Sequence, residues 1–220
     1  MSDNLIPKNL FMAWGGSTPP NWCLKAFDEY KALLGSHWNC QFFNTLSVPQ
    51  SYRLFKEQSK IPNFTYKADI FRLWLLEEYG GIWVDTDTRF IKPFDDLTVH
   101  EGIATVHRDT PQSPLDRFHI DSCMIGSAPK GKMIDLVVDR VYESLRSGKG
   151  YWQFTWNFNQ TLTGNCPDYI YYGAFDEITT PTERERFMSC KFEKIVPKRS
   201  NSYIRHYLTN LYSNKESANV

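Results

Sequence analysis

A chain of 220 residues with 41% hydrophobic and 15% aromatic side chains fits one domain, large enough to bury about 70% of the surface its unfolded form would expose. Its 25 basic and 25 acidic residues cancel, which excludes a global field that would steer nucleic acid onto the protein. No apolar run approaches the roughly 20 residues that a membrane span needs, and Met1-Ser2-Asp3-Asn4 lacks the basic start and apolar stretch of a signal peptide, so a soluble, cytoplasmic protein is expected.

In chain order, Asn9 to Trp14 reads as a strand, Pro20 to Leu34 as a helix opened by Pro-Pro-Asn, and Trp38 to Asn44 as a second strand. Ser51 to Ser59 is helical. Tyr66 to Tyr79 is a helix whose Ile70, Phe71, Leu73, Trp74, Leu75 and Leu76 make it apolar on nearly every face, as a buried helix requires. Gly80-Gly81 ends it as a left-handed C-cap, and Ile82-Trp83-Val84 follows as a short buried strand. Gly102 to Val106 and His119 to Ile125 are further strands, Lys132 to Leu145 an amphipathic helix, and Phe192 to Val196 a late strand. This α/β order predicts a single domain over residues 1–220, with a mostly parallel central sheet flanked by helices and the ligand at the strands' carboxyl ends. Cys23, Cys40, Cys123, Cys166 and Cys190 are scattered, with no Cys-x-x-Cys pair, and read as reduced core thiols.

The chemistry concentrates between Ala68 and Asp87. Asp69 and Arg72 lie at i and i+3 on one face of an apolar helix, where each charge needs a partner or a ligand. Asp85 and Asp87 close the strand after the double glycine. At strand periodicity they project together, an arrangement that suits a hard divalent cation held against substrate phosphates. An isolated Asp-x-Asp is more often an acidic turn. The Asp-x-x-Arg helix and Gly-Gly directly upstream reverse that reading.

Ala68-Asp69-x-x-Arg72 followed by Tyr79-Gly80-Gly81-Ile82-Trp83-x-Asp85-x-Asp87 resembles the signature of the DXD-containing sugar transferases of glycosyltransferase family 32, which have the glucosylating clostridial toxins as relatives. Ile6-Pro7-Lys8-Asn9-Leu10-Phe11-Met12-Ala13-Trp14-Gly15-Gly16 is similar to that family's opening strand, and Phe118-His119-Ile120-Asp121-Ser122 to Gly126-Ser127 to a later one. The resemblance implies the GT-A nucleotide-sugar fold and a hexosyl- or pentosyltransferase. It also implies that a sugar passes from a nucleoside diphosphate donor to an acceptor hydroxyl, with metal dependence and retention of anomeric configuration.

Roles follow from the same resemblance. Asp87 would ligate Mn²⁺ or Mg²⁺ bridging the donor's two phosphates, while Asp85 would hold the ribose or sugar and support the metal. Asp69 and Arg72 would contact the donor's sugar hydroxyls; Ala13 and Trp14 would lie at the nucleobase. His206, in Ser202-Tyr203-Ile204-Arg205-His206-Tyr207, falls where the family carries a His that binds metal or diphosphate, although Leu211-Tyr212 stands where a Ser-Trp pair is expected. Asp121 occupies the place of an Asn near the reacting carbon, a third catalytic candidate beside Asp85 and Asp87. Residues 198–220 would form a lid or tail. The expected donor is a uridine diphosphate sugar, with guanosine diphosphate the alternative.

The acceptor is expected to be a surface glycan, built by a bacterial enzyme or, if phage-encoded, in the host cytoplasm. A hydroxylated base in phage DNA is the second acceptor. It rests on Pro181 to His206, where seven Lys and Arg outnumber three Glu, a run that otherwise reads as a solvated face. From another class, Ile82-Trp83-Val84-Asp85-Thr86-Asp87-Thr88 also matches the strand-Asp-x-Asp-x-Thr opening of haloacid-dehalogenase-type phosphatases, with Asp85 as nucleophile and Asp87 as acid/base alongside Mg²⁺. That motif normally opens its domain, and here 84 residues precede it.

Overall fold

The computed structural model describes residues 5–16, 18–59, 63–107, 119–147, 161, 170–177, 185–186, 188–190 and 202–207. Strand β1 (Asn9–Ala13), helix α1 (Asn21–Leu34) and strand β2 (Asn39–Phe43) form a crossover unit in which β1 and β2 pair in parallel, Asn9 opposite Asn39. A short helix α2 (Phe55–Ser59) and the long α3 (Phe64–Tyr79) then lead to β3 (Gly81–Val84), which lies parallel to β1 on its other side. Parallel neighbours need such long connections, and helices supply them.

The remaining strands are β4 (Thr88–Phe90), β5 (Gly102–His107), β6 (His119–Ser127), β7 (Ile170–Glu177) and β8 (Ser202–His206), with α4 (Lys132–Arg146) between β6 and β7. Together they make one eight-stranded sheet in the order β2-β1-β3-β6-β5-β7-β8-β4. Only β6 and β4 run against the rest, so the mostly parallel α/β sheet expected from the sequence is the observed one.

Alternation along the central strands sends side chains to two cores. Leu10, Met12, Ile82 and Val84 pack with Tyr30 and Leu34 of α1, whereas Phe11, Ala13 and Trp83 pack with Phe71, Leu75 and Leu76 of α3 and Val137 of α4. Helix α3 starts at Asn63, whose side chain accepts from Thr65 N at 2.8 Å, and stops at Gly80, whose N–H returns to Leu76 O at 3.1 Å. The double glycine is demanded twice over. Both residues have positive φ, 61° and 130°, and a Cβ on Gly81 would sit 2.6 Å from Asn9 O of β1.

Several predicted boundaries move. Ser51 to Leu54 form turns, and the helix expected from Ser51 begins only at Phe55. The predicted strand Phe192 to Val196 lies outside the described residues, while β4, β7 and β8 have no counterpart in the sequence reading. Ser202–His206, expected in a lid or tail, is a sheet strand held between β7 and β4; residues 198–201 and 208–220 lie outside the described residues. Cys23 and Cys123 are buried and Cys40 and Cys190 half-buried, all as free thiols; Cys166 lies outside the described residues.

Candidate functional site

The sheet brings the residues singled out in the sequence to one end. Phe11 of β1 is level with Trp83 of β3, so Ala13 and Asp85, each two residues further on, leave the sheet side by side. Antiparallel β6 reaches the same end from the opposite direction: Asp85 N donates to Cys123 O at 2.8 Å, with Asp121 and Ser122 just before it. Strand β8, parallel in sense to β3, delivers His206 there too, with its backbone opposite Thr88. Asp121 and His206 are described through their backbones.

Strand β3 ends at Val84, so the period-two argument for the two carboxylates does not extend to them, and they turn to different helices. The Asp85 carboxylate accepts from Trp83 Nε1 at 2.8 Å and pairs with Arg72 Nη2 at 3.3 Å. Arg72 is itself almost wholly buried. Its Nη2 lies 2.7 Å from Asp69 Oδ1, its Nη1 donates to Ser122 O at 2.5 Å, and its guanidinium stands 5.1 Å from the centre of the Trp83 ring. A charge taken out of water is tolerable only with such a set of partners. The side chains of Asp69 and Arg72 are each 4% exposed, and Arg72 joins Asp69 to Asp85.

Asp87 is buried on the other side of the turn, against α1. The turn is tied by Thr88, whose N–H and hydroxyl both donate to Asp85 O, at 3.2 and 2.6 Å, and whose hydroxyl meets Tyr30 Oη at 2.8 Å. Cys23 of α1 hydrogen-bonds the Thr86 side chain beside Asp87. Burial pushes its thiol up to about 12; the Thr86 hydrogen bond opposes this and the Asp87 charge reinforces it, so Cys23 stays a neutral neighbour. Tyr207, just past β8, donates its N–H to Asp87 O at 2.8 Å.

Trp14 continues β1 by one hydrogen bond to Phe43 O, at 2.9 Å, and packs half-buried and edge-on against Trp22 at 5.7 Å. Ala13 points its methyl into the core and offers a ligand backbone. Beside them opens a cavity of about 360 Å³ lined by Gly15, Gly16, Asn44, Leu46, Phe64 and Lys67. Gly15 keeps it open: a Cβ there would come within 2.3 Å of Leu46 Cδ1. Phe64 leaves half its surface exposed at this cavity. Its floor is set by Gln58, buried with its amide donating to Leu46 O and Lys67 O and accepting from Val48 N.

The sequence reading missed Glu29, Tyr30, Gln58, Arg89 and Tyr207 as parts of this architecture; all but Gln58, which bonds Leu46, Val48 and Lys67 nearby, act on residues far along the chain. Trp83 stood inside the motif, and an aromatic N–H donor two residues before an Asp was the signal that could have marked it.

Among the described residues no three His, Cys, Asp or Glu side chains form a ready-made metal cage. Asp85 and Asp87 do fit a hard divalent ion that keeps positions open for phosphate oxygens: both are carboxylates, and Asp87 is buried beside a neutral thiol, where a cation would offset its charge.

Residues 10–104 match the model of the family described as the glycosyltransferase sugar-binding region containing a DXD motif. The fold agrees. The PaToxG glycosyltransferase superposes with a TM-score of 0.58 at 18% identity, over 74% of this chain and 71% of its own. A glycosyltransferase involved in glycosylation of the major capsid of PBCV-1 gives 0.51 at 12% identity, over 97% of this chain and all of its own. The architecture is GT-A. Glucan organizing enzyme 1 of Cryptococcus neoformans var. grubii is 34% identical over 77 residues, 34% of this chain, which spans about a fifth of that relative's length.

Proposed function

We propose that the protein is a metal-dependent glycosyltransferase that moves a hexose or pentose from a nucleoside diphosphate sugar to an acceptor hydroxyl. The observation that carries this is the convergence of Trp14, Asp85 and Asp87 with the backbones of Asp121 and His206 at the carboxyl end of the sheet, beside an open cavity. That is where an α/β sheet binds its ligand.

In this reading the nucleobase lies against Trp14 at the cavity beside Gly15, where Phe64 offers a second aromatic face and Asn44 polar recognition. A uridine diphosphate donor is preferred, guanosine diphosphate the alternative. Asp87 and Asp85, with His206, would hold Mn²⁺ or Mg²⁺, which would supply positive charge for the diphosphate that leaves as its bond to the anomeric carbon breaks. The acceptor oxygen forms the new bond to that carbon, and its proton passes to the departing diphosphate oxygen. Asp69 and Arg72 would contact the donor's sugar hydroxyls while Arg72 also fixes Asp85, and Asp121 would lie near the reacting carbon. Catalysis is then positioning plus electrostatic help to the leaving group, with retention of configuration as the resemblance implies.

A glycan acceptor is favoured, since relatives are named for glucan and capsid glycosylation. The basic stretch that would favour DNA lies mostly outside the described residues. Among the described residues no helix is long and apolar enough to cross a membrane, and we place the enzyme in the cytoplasm. The phosphatase alternative gains no support: Asp85 and Asp87 lie inside the matched sugar-binding region, and no described carboxylate joins them to complete such a centre.

Calorimetric titration with uridine and guanosine diphosphate sugars, with and without Mn²⁺ or Mg²⁺, tests the proposal. Binding in the micromolar to millimolar range that requires the ion is expected. Hydrolysis of simple phosphate esters, with no response to nucleotide sugars, would overturn it.

A further inference from the structure

Arg89 carries a buried charge that the reaction above does not use. It lies on β4, a three-residue strand at the sheet edge whose neighbour is β8, and its side chain is 7% exposed. Nε donates to Glu29 Oε2 at 2.9 Å and Nη2 to Glu29 Oε1 at 2.5 Å, a fork meeting both carboxylate oxygens on α1. The same guanidinium is hydrogen-bonded to the Tyr207 side chain. Tyr207 in turn is 6% exposed, packs with Trp22, Cys23 and Ala26, and gives its N–H to the Asp87 carbonyl at 2.8 Å.

These contacts close a ring from α1 through β4 and the end of β8 back to Asp87. A strand this short has little pairing of its own to hold it, and Arg89 is the residue that joins it to both flanking elements at once. We propose that Arg89, clamped between Glu29 and Tyr207, is a positioning residue that fixes the Asp87 turn and the end of β8 for cation binding. It touches no reacting atom. The inference rests on the reading of Asp87 as a cation ligand.

The test compares the full-length protein with Arg89→Lys and Glu29→Gln, reading Mn²⁺ affinity in the presence of uridine diphosphate, the thermal midpoint, and donor KM against kcat. Arg89→Lys keeps the charge and loses the fork. It should weaken Mn²⁺ binding by roughly ten- to a hundred-fold, the range seen when supports of metal ligands are removed, and excess Mn²⁺ should restore kcat. Glu29→Gln, which keeps Arg89 and its bond to Tyr207, should shift Mn²⁺ affinity the same way and less far, and decides the matter if Arg89→Lys does not fold. A lowered thermal midpoint with unchanged Mn²⁺ affinity would make the clamp purely structural and overturn the proposal. Failure of the wild-type protein to take up any divalent ion would instead remove the metal reading, and the clamp's role with it.

Discussion

Asp85 and Asp87 are two residues apart and are held by unlike means. Asp85 is gripped by charge and by near neighbours in sequence: Arg72, backed by Asp69, and the Trp83 indole. Asp87 sits among a neutral thiol, a backbone donor from Tyr207 and a turn pinned through Thr88 to Tyr30, groups drawn from α1 and the end of β8. One carboxylate is therefore aimed by local sequence and the other by tertiary assembly. The difference teaches that a short motif can be written in adjacent letters and still depend on distant ones for half of its geometry.

The sharpest break of this contrast is Arg72→Met. It strands Asp69 in the core without its cation, so a loss of about 3–5 kcal/mol in urea unfolding is expected; a loss below about 1 kcal/mol would mean that the Asp85 side is not held by charge. Next come Asp85→Ala and Asp87→Ala, each expected to reduce transfer on the order of a hundred-fold or more when an electrostatic contact to the leaving group is deleted. They should differ in stability: Asp85→Ala leaves Arg72 one partner short and lowers the unfolding midpoint, whereas Asp87→Ala does so less. Equal effects would erase the distinction between the two sides. Trp83→Phe keeps an aromatic ring and deletes the donor to Asp85, for about 1 kcal/mol in stability and a matching loss in transfer.

The smallest effect is a pH dependence on the Asp87 side. Cys23 binds its proton more tightly folded than unfolded, so its contribution to stability is whole below the ordinary thiol value of 9.0 and is lost as pH rises towards about 12. Unfolding midpoints above pH 9.0 should therefore fall more steeply in the wild type than in Cys23→Ala. Parallel curves would show that Cys23 is not held neutral by its surroundings.

What the sequence made legible was local. Helix α3, its double-glycine stop and β3 could be read because apolar periodicity and positive-φ glycines lie within one continuous stretch, and β1, β2 and α4 for similar reasons. Strand β4 is three residues long, β8 carries Ser202 and Arg205 among its apolar residues, and β7 is broken by Gly173, so none shows a clean strand pattern. In the site, Asp69, Arg72, Asp85 and Asp87 announced themselves as charges in or beside an apolar run. Their division between two helices did not, because it depends on where the strand stops. The Glu29–Arg89 pair spans 60 residues, and nothing in the sequence joins them until α1 docks on β4.

The place of β8 between β7 and β4 also has a consequence for the order of assembly. Chains leave the ribosome amino end first, and β1, α1, β2, α3 and β3 can pack against one another early. Thr88, however, waits for His206 as its strand partner, and Asp87 waits for the Tyr207 N–H. Closing a contact across so many residues is entropically slow. A nascent chain can thus assemble β1, β2 and β3 well before the turn at Asp87 is braced, and that turn settles only after Tyr207 has joined it.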